Sequence, residues 1–281
     1  MGKMDQQRLP PGLYIVATPI GNLGDLSPRA AETLRRADLI LAEDKRVTAK
    51  LLAHAAAKRP MANYNDHTSE VDREKFVGRL ANEAVALVSD AGTPLISDPG
   101  YKLVRAARTA GHSIFTIPGP SAVIAALTLA GLPTDRFLFA GFLPSKTKPR
   151  AEAIAELASL RASLVFYESG PRLGEALSAL AEGLDGRDAA VVREISKLHE
   201  ESVSGSLADL AQRYADVQPK GEIVIVVGPP REGEEASDED LGEALDEALK
   251  RMSPSRAAAD VAARLNVPRK RAYAMALERS R

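Results

Sequence analysis

Two loops of small and polar residues are candidates for chemistry, although the first, taken alone, is more typical of a simple turn. Residues 18–25 (TPIGNLGD) and 89–100 (SDAGTPLISDPG) each follow a run of aliphatic residues. Small side chains let a ligand approach backbone N–H and C=O groups closely, and Asp90 offers a carboxylate to a hydroxyl or a cation. Strand-to-helix connections usually have about 2 to 6 residues. The greater length of the second loop therefore indicates a binding loop.

Four other segments carry candidate polar groups. They are residues 118–122 (PGPSA), 142–146 (FLPSK), 167–172 (YESGPR) and the charge cluster 193–201 (REISKLHEE). Ser121 is either a helix N-cap or a ligand contact. The sequence contains neither G-x-G-x-x-G nor G-x-x-x-x-G-K-[ST], so a Rossmann fingerprint and a P-loop are both excluded. With no cysteine and no metal-ligand spacing among the four histidines, no metal is expected.

The predicted elements of the first half place these loops at strand ends. Strands are predicted at residues 13–17, 39–42, 84–88 and 113–117, with helices between them. Ser27 with Pro28, and Asp98 with Pro99, are typical of an N-cap and a first helical position. This alternation predicts a parallel sheet covered by helices. Ligands of such sheets bind beyond the carboxyl ends of the strands.

The second half has a different rhythm. Strands are predicted at residues 137–140, 163–167, 189–192, 201–204 and 222–227, with helices at about 151–160, through the Leu173 to Leu180 stripe and at 207–214. Neighbouring strands without a helix between them indicate a mixed or antiparallel sheet. We therefore predict an α/β fold of two domains, 1–135 and 136–229, the first with a parallel sheet and the second with a mixed sheet.

Charge is segregated toward the C-terminal end. The whole chain has a net charge of −1 and residues 1–228 are neutral, but 229–250 hold 2 basic and 9 acidic side chains and 251–281 hold 8 basic and 2 acidic ones. Residues 230–252 are predicted as an acidic linker that becomes a solvated helix. Two short helices around Asn266-Val267 predict a small helix-turn-helix at 253–281. The neutral total therefore does not exclude a nucleic-acid partner.

The sequence also indicates a compartment. The longest mainly apolar stretch, residues 122–132, is much shorter than the ~20 residues of a membrane-spanning helix. Residues 1–12 lack the apolar core of a signal peptide. We expect a cytoplasmic protein without a membrane partner.

Six motifs, in order, resemble the tetrapyrrole-methylase superfamily. They are TPIGNLGD at 18–25, AEDKRVT at 42–48, SDAGTPLISDPG at 89–100, PGPSA at 118–122, FYESGPR at 166–172 and REISKLHE at 193–200. Within the superfamily the chain closely resembles the bacterial small-subunit ribosomal RNA cytidine 2′-O-methyltransferases over residues 13–228. The C-terminal helix-turn-helix is similar to the tail module of that family. Lys45 departs from the pattern, since a small or hydroxyl residue is expected there.

The resemblance implies a homodimer that binds S-adenosylmethionine in the cleft between its two α/β domains. It implies methylation of a cytidine ribose, at the 2′-oxygen, in the decoding centre of the 16S ribosomal RNA of the small subunit. The implied donor-binding residues are Pro19, Asp90, Ala91, Gly92, Thr93, Ile96, Ser121, Ala122, Phe142, Gly221 and Glu222.

A ribose hydroxyl is a poor nucleophile and benefits from a positioned base or a charge stabiliser. The candidates are Glu168, Glu194 and Lys197, and the sequence does not choose among them. Lys197 would need a lowered pKa to accept a proton. The cations expected to hold RNA phosphates or to form ion pairs are Arg46, Arg172 and Arg193, and in the tail Arg264, Arg269, Lys270 and Arg271.

Two other functions fit part of the sequence. One is carbon methylation of a small porphyrin-like molecule, for which the basic tail has no evident use. The other is a ligand-sensing DNA-binding regulator, since a helix-turn-helix often indicates DNA. Against it, the tail follows an acidic linker on an enzyme-like body, and the run from Arg269 to Arg271 suits phosphate contact without implying base readout. Methylation of ribosomal RNA is the prediction.

Overall fold

The computed structural model describes residues 8–230, 238–265 and 267–280, and the chain forms two compact units. The body comprises Met1–Ala158 and Ala162–Gly228. The C-terminal unit comprises Pro229–Arg281 together with Ser159–Arg161. Within the described residues, no helix is both long enough and apolar enough to cross a membrane.

The first half of the body is a parallel sheet wrapped by helices. Its strands are β1 (Gly12–Val16), β2 (Leu39–Ala42), β3 (Met61–Asn63), β4 (Ala84–Val88) and β5 (Ile114–Ile117). Its helices are α1 (Pro28–Arg36), α2 (Lys45–His54), α3 (Glu70–Arg79), α4 (Tyr101–Thr109) and α5 (Ala122–Ala130). The spatial order of the strands is β3-β2-β4-β1-β5.

Helices on both faces explain why the central strands are apolar throughout. Every residue of β1, β2 and β4 is buried. Val16 packs in one core cluster with Leu34 of α1, whereas Leu87 packs in another with Leu103 of α4. Because both faces of these strands are covered, they read as continuous hydrophobic runs rather than as alternating ones.

The chain changes direction between the two central strands. From β1 it crosses through α1 to β2 on one side, and from the adjacent β4 it crosses through α4 to β5 on the other. Such a reversal opens a crevice at the carboxyl ends of the two strands. Thr18 and Gly92 exchange backbone hydrogen bonds of 2.8 and 3.1 Å there, which join the two loops.

The second half of the body is a mixed sheet. Its strands are β6 (Phe137–Phe142), β7 (Ser163–Ser169), β8 (Asp188–Arg193), β9 (Glu201–Ser206) and β10 (Glu222–Val227). Its helices are α6 (Thr147–Leu157), α7 (Leu173–Gly183) and α8 (Leu207–Tyr214). The order is β6-β7-β10-β8-β9, with β6 and β7 parallel and the other pairs antiparallel. The predicted fold class is confirmed, while the domain boundary stays a prediction.

Three local features differ from the sequence prediction. The three-residue strand β3 was not predicted, because Met-Ala-Asn lacks the β-branched residues typical of strands. β6 continues through a bulge at Gly141 and ends at Phe142. The prediction of Asp98 as an N-cap is wrong: α4 begins at Tyr101, after Gly100. Positive φ angles at Ser97 (62°) and Gly100 (140°) keep this loop out of the helix. The other predicted cap, Ser27, accepts a hydrogen bond from the Ala30 N–H.

The C-terminal unit is a three-helix bundle. Its helices are α9 (Asp238–Leu249), α10 (Pro254–Leu265) and α11 (Arg269–Arg279). Ala258 and Val261 of α10 are buried in the core of this bundle. Residues 238–249 of the predicted acidic segment form a helix, and residues 231–237 lie outside the described part of the chain. The helix is not solvated all round, because Leu241 and Leu245 are buried in the core shared with α10 and α11. Ion pairs join α9 to α11 through Arg271 with Asp238 and Arg279 with Asp246.

Candidate active site

A cavity of about 470 Å³ lies at the carboxyl ends of the central strands of the first sheet, facing the second sheet. Its walls come from the loops after β1, β2, β4 and β5 and from the ends of β6, β7 and β10. It is lined by Ile20, Glu43, Asp90, Ala91, Gly92, Thr93, Ile96, Ser97, Asp98, Ser121, Ala122, Phe142, Tyr167, Glu168, Ser169, Ile195, Gly221, Glu222, Ile223 and Val224.

The structure brings nearly all the predicted donor-binding residues to this cavity. Ten of the eleven line it: Asp90, Ala91, Gly92, Thr93, Ile96, Ser121, Ala122, Phe142, Gly221 and Glu222. Pro19 is buried, and its neighbour Ile20 forms the wall instead. Ser121 occupies the N-cap position of α5 without a side-chain capping bond. Its hydroxyl is therefore not used up by the helix.

Sequence reasoning did not assign five other polar residues of the lining, namely Glu43, Ser97, Asp98, Tyr167 and Ser169. Glu43 directly follows β2, so the carboxyl-end rule that selected the other loops also applies to it. Asp98 was assigned to helix capping. Tyr167 and Ser169 lie in the segment 167–172, of which only Glu168 and Arg172 were assigned to the site from the sequence.

The lining is acidic. Glu43, Asp90, Asp98, Glu168 and Glu222 contribute five carboxylates, and among the described residues that line the cavity there is no lysine, arginine or histidine. Burial raises the pKa of Glu43 and of Asp90 above its usual value. Burial, followed by the nearby charges of Glu43 and Asp90, raises the pKa of Asp98 to about 6. These carboxylates repel one another, so the cavity favours a cationic ligand.

Tyr167 forms an aromatic part of the wall. Its ring makes edge contacts with Phe139 and Phe142, with centroids 4.8 and 5.7 Å apart. Burial, with a contribution from Asp98, raises the pKa of Tyr167 to about 12. The phenol therefore stays neutral at physiological pH.

Glu168 is the most buried of the five carboxylates, with 1% of its side chain exposed. One oxygen, Oε1, accepts a 2.8 Å hydrogen bond from the Ser169 N–H. The other, Oε2, has no hydrogen-bond donor among the described residues and lies 3.4 Å from the Arg172 guanidinium. A buried carboxylate with a free acceptor position is costly unless a ligand completes it.

Glu194 and Lys197 lie behind the lining and reach it through Glu222. The Lys197 ammonium donates to Glu194 Oε1 at 2.9 Å and to Glu222 Oε2 at 3.1 Å. The Glu222 N–H also donates to Glu194 Oε1, at 3.1 Å. Glu194 adopts a positive φ of 53° to make this arrangement.

This geometry decides against Lys197 as a base. Desolvation lowers the pKa of Lys197, but hydrogen bonds to Glu194 and Glu222 outweigh it and leave the pKa above its usual value. The hydrogen bond from Lys197 is in turn the main cause that lowers the pKa of Glu194 below its usual value. Lys197 therefore remains charged at physiological pH, and only the role of charge stabiliser is left to it.

The cations predicted to contact RNA fall into two groups. In the body, Arg46 pairs with Asp44 at 2.6 Å, Arg193 with Glu201 at 3.0 Å and Arg172 with Glu168. In the C-terminal unit, Arg269 and Lys270 are exposed at the start of α11, and Arg271 pairs with Asp238. Arg264 lies in α10, and its side chain is outside the described part of the chain.

A family model for tetrapyrrole (corrin/porphyrin) methylases matches residues 12–211. The chain belongs to the tetrapyrrole methylase family. A second model, described as the RsmI C-terminal HTH domain, matches residues 235–280 of this methylase. Its boundaries include α9, so the acidic helix belongs to the same module as the two basic helices.

Relatives of this tetrapyrrole methylase match it over nearly their full length. A protein of Erythrobacter litoralis named ribosomal RNA small subunit methyltransferase I is 55% identical over 270 residues, covering 96% of each chain. A protein of Xylella fastidiosa with the same name is 46% identical over 274 residues, covering 94% of this chain and 98% of its own. This tetrapyrrole methylase is a methyltransferase.

Solved structures share the fold. A uroporphyrin-III C-methyltransferase from Thermus thermophilus, in complex with S-adenosylhomocysteine, has a TM-score of 0.55 and 19% identity, covering 77% of this chain and 97% of its own. A cobalt precorrin-4 methyltransferase has a TM-score of 0.56 and 20% identity, covering 77% of this chain and 94% of its own. At this level of identity, the likeness concerns architecture.

Proposed function

We propose that this tetrapyrrole methylase transfers a methyl group from S-adenosylmethionine to the ribose 2′-oxygen of a cytidine in the decoding centre of 16S ribosomal RNA. The observation that carries the proposal is the match, over 96% of each chain, to a protein named ribosomal RNA small subunit methyltransferase I. Because its proposed substrate is the small ribosomal subunit, the protein is proposed to act in the cytoplasm. The homodimer remains part of the proposal, since Ile124, Leu129 and Phe137 expose apolar surface for a partner.

The cavity in the body fits the proposed donor in size and charge. Ligand pockets usually have volumes of about 300 to 1,000 Å³, and the cavity lies within that range. Its acidic lining suits a positively charged sulfonium compound. When bound, the donor supplies a methyl group that its positive sulfur has already activated. Asp90, Thr93, Ser121 and Glu222 are the polar residues that we expect to hold it.

The remaining task of the protein is to orient the ribose hydroxyl and to accept its proton. We assign the proton-accepting role to Glu168, because it lines the cavity and its Oε2 has a free acceptor position. Lys197 supplies a fixed positive charge one hydrogen bond away from the lining, through Glu222. Glu194 acts as a positioning residue, since it holds the Lys197 ammonium and the Glu222 backbone.

The proposal is tested by methylating isolated small ribosomal subunits with radiolabelled S-adenosylmethionine and mapping the modified nucleotide. We expect one labelled cytidine, methylated on its ribose. Glu168→Gln should lower kcat about 100-fold, the usual range for a lost general base, while the donor Kd changes no more than a few-fold. Glu182→Gln, at an exposed position on α7, is the matched control. Label that enters a porphyrin-like acceptor instead of the subunits would contradict the proposal.

A further inference from the structure

The exposed side of α4 is basic. Tyr101, Arg105 and Arg108 are spaced at i, i+4 and i+7, which places them in one stripe along the helix. The opposite side of the helix is buried through Leu103 and Ala107. Lys102 is exposed beside the stripe, and the helix contains no acidic residue. We refer to Tyr101, Lys102, Arg105 and Arg108 as the α4 face.

The cations of the α4 face differ from the other candidate RNA contacts of the body. Among the described residues, Lys102, Arg105 and Arg108 form no ion pair, whereas Arg46, Arg172 and Arg193 all do. A cation that already holds a carboxylate must give up that partner before it can neutralise a phosphate. The α4 face is therefore ready to bind a polyanion without breaking contacts.

Tyr101 is an exposed aromatic residue at the end of this basic surface. Tyr101 is 65% exposed, more than any other aromatic residue among the large exposed hydrophobics of the described chain. Aromatic rings beside cations are typical of single-stranded nucleic-acid sites, where bases stack on the ring and cations follow the backbone.

The position of Tyr101 connects the α4 face to the candidate active site. Tyr101 and Lys102 line a small pocket of about 120 Å³ together with Thr68 and Arg73. Asp98 lines this pocket and the donor cavity, so the two adjoin. Asp66 also lines the small pocket. Because its negative charge would repel a phosphate inside the pocket, we expect phosphates to bind on the α4 face instead.

We propose that the α4 face binds the RNA strand next to the nucleotide being methylated, with an unpaired base stacked on Tyr101 and phosphates held by Lys102, Arg105 and Arg108. The inference rests on the proposed function, because it assumes an RNA substrate. From Tyr101 to Arg108 the helix rises about 10 Å. The strand can therefore run from the cavity mouth along α4 while its reactive ribose reaches the donor.

The experiment measures binding of small ribosomal subunits to the full-length protein at several salt concentrations. Arg105→Gln/Arg108→Gln should weaken binding about tenfold at physiological salt. It should also make the slope of log K against log salt less steep by about 1.5, as expected for two lost phosphate contacts. The matched control is Lys58→Gln/Arg136→Gln, with the same charge change. These exposed residues precede β3 and β6, at the strand ends away from the cavity.

Two substitutions of Tyr101 distinguish base stacking from other roles of this side chain. Tyr101→Ala should weaken subunit binding about tenfold and raise KM, whereas Tyr101→Phe should stay near the wild type because the ring is kept. The donor Kd and the melting temperature of each variant should match those of the wild type, which confirms that the variants fold. If Tyr101→Ala binds subunits as well as Tyr101→Phe does, the stacking role is overturned.

Two further outcomes would overturn the inference. If Arg105→Gln/Arg108→Gln behaves like the control pair while the wild type methylates subunits, the α4 face does not bind RNA and the proposed function stands. If Arg105→Gln/Arg108→Gln changes the oligomeric state in gel filtration, the face is an interface between copies of the chain. Failure of the wild type itself to methylate subunits would instead overturn the proposed function.

Discussion

Asp98 illustrates how neighbours control the chemistry of one residue. Ser89 lowers the pKa of its carboxyl group, but the group is partly buried and faces the negative charges of Glu43, Asp90 and Asp66. The adjoining pocket also contains the cations Arg73 and Lys102. Desolvation dominates, and the pKa of Asp98 rises to about 6. The ionised form of Asp98 is therefore destabilised, and a cationic ligand in the cavity would stabilise it.

Asp98 should make stability depend on pH in a defined direction. In the unfolded chain its pKa is close to 3.8, and in the folded chain it is about 6. The folded state therefore holds the proton more tightly, and stability is lost as pH rises from about 4 to 6. Asp98→Asn should stabilise the protein by roughly 1 to 2 kcal/mol at pH 8, after a discount for solvent screening, and by almost nothing at pH 4.

Urea unfolding at pH 4, 6 and 8 measures this effect. Asp135→Asn, at an exposed position before β6 and away from Asp98's charged neighbours, serves as the control for removing a negative charge. An increase in stability that is equal at all three pH values would contradict the titration of Asp98.

At the scale of elements, the segment after β8 and the start of β10 bring together the charged residues beside the cavity. Gly221 precedes β10 with a φ of 102°, in the left-handed region that favours glycine. A Cβ at this position would overlap the carboxylate of Glu194. Because Glu194 holds both the Lys197 ammonium and the Glu222 N–H, this close approach is a requirement of the site.

Gly221→Ala should therefore disturb function as well as stability. The substitution forces Glu194 away, so the Lys197 contact is lost, and we expect donor affinity to fall about tenfold. Gly186→Ala is a matched control, because Gly186 also has a positive φ of 72° but open space around its Cβ position. Both variants should lose about 1 kcal/mol from the left-handed backbone. Calorimetric titration with the donor distinguishes them, and equal donor affinities would contradict the proposed role of Glu194.

At the scale of the whole molecule, the distribution of charge matters more than its total. The chain is nearly neutral, yet its last 31 residues carry a net charge of +6 from 8 basic and 2 acidic side chains. Part of this positive charge is neutralised within the C-terminal unit, where Asp238 pairs with Arg271 and Asp246 with Arg279. Arg269 and Lys270, exposed at the start of α11, are then the residues best placed to attract RNA.

Neutralising this exposed pair tests the tail in the full-length protein. Arg269→Gln/Lys270→Gln should reduce affinity for small subunits several-fold and make the salt dependence less steep by about 1.5 in slope. The control is Lys250→Gln/Arg251→Gln, since both of those cations already pair with Glu247. Filter binding at several salt concentrations provides the measurement. Identical salt slopes for the two double variants would exclude the start of α11 as an RNA contact.

The sequence alone determined the elements and the loops, because these depend on local patterns. Uninterrupted apolar runs predicted β2, β4 and β10 at their observed bounds, and the motifs identified the family whose loops form the cavity. Local patterns failed where the signal was short or ambiguous. β3 has only three residues, and Asp98 looks like an N-cap until the backbone around it is known.

Only the tertiary structure decided which charges meet. Asp98 gains its raised pKa first from burial and then from the charge of Glu43, 55 residues earlier. Lys197 is kept charged by Glu194 and by Glu222, 25 residues later. The same applies to the cations: the arginines that the motifs favoured are paired, whereas those of α4 form no ion pair among the described residues. Electrostatic interactions depend on distance and burial in space. The sequence specifies which charged residues are present, and the fold determines which of them are buried or paired and which can bind a ligand.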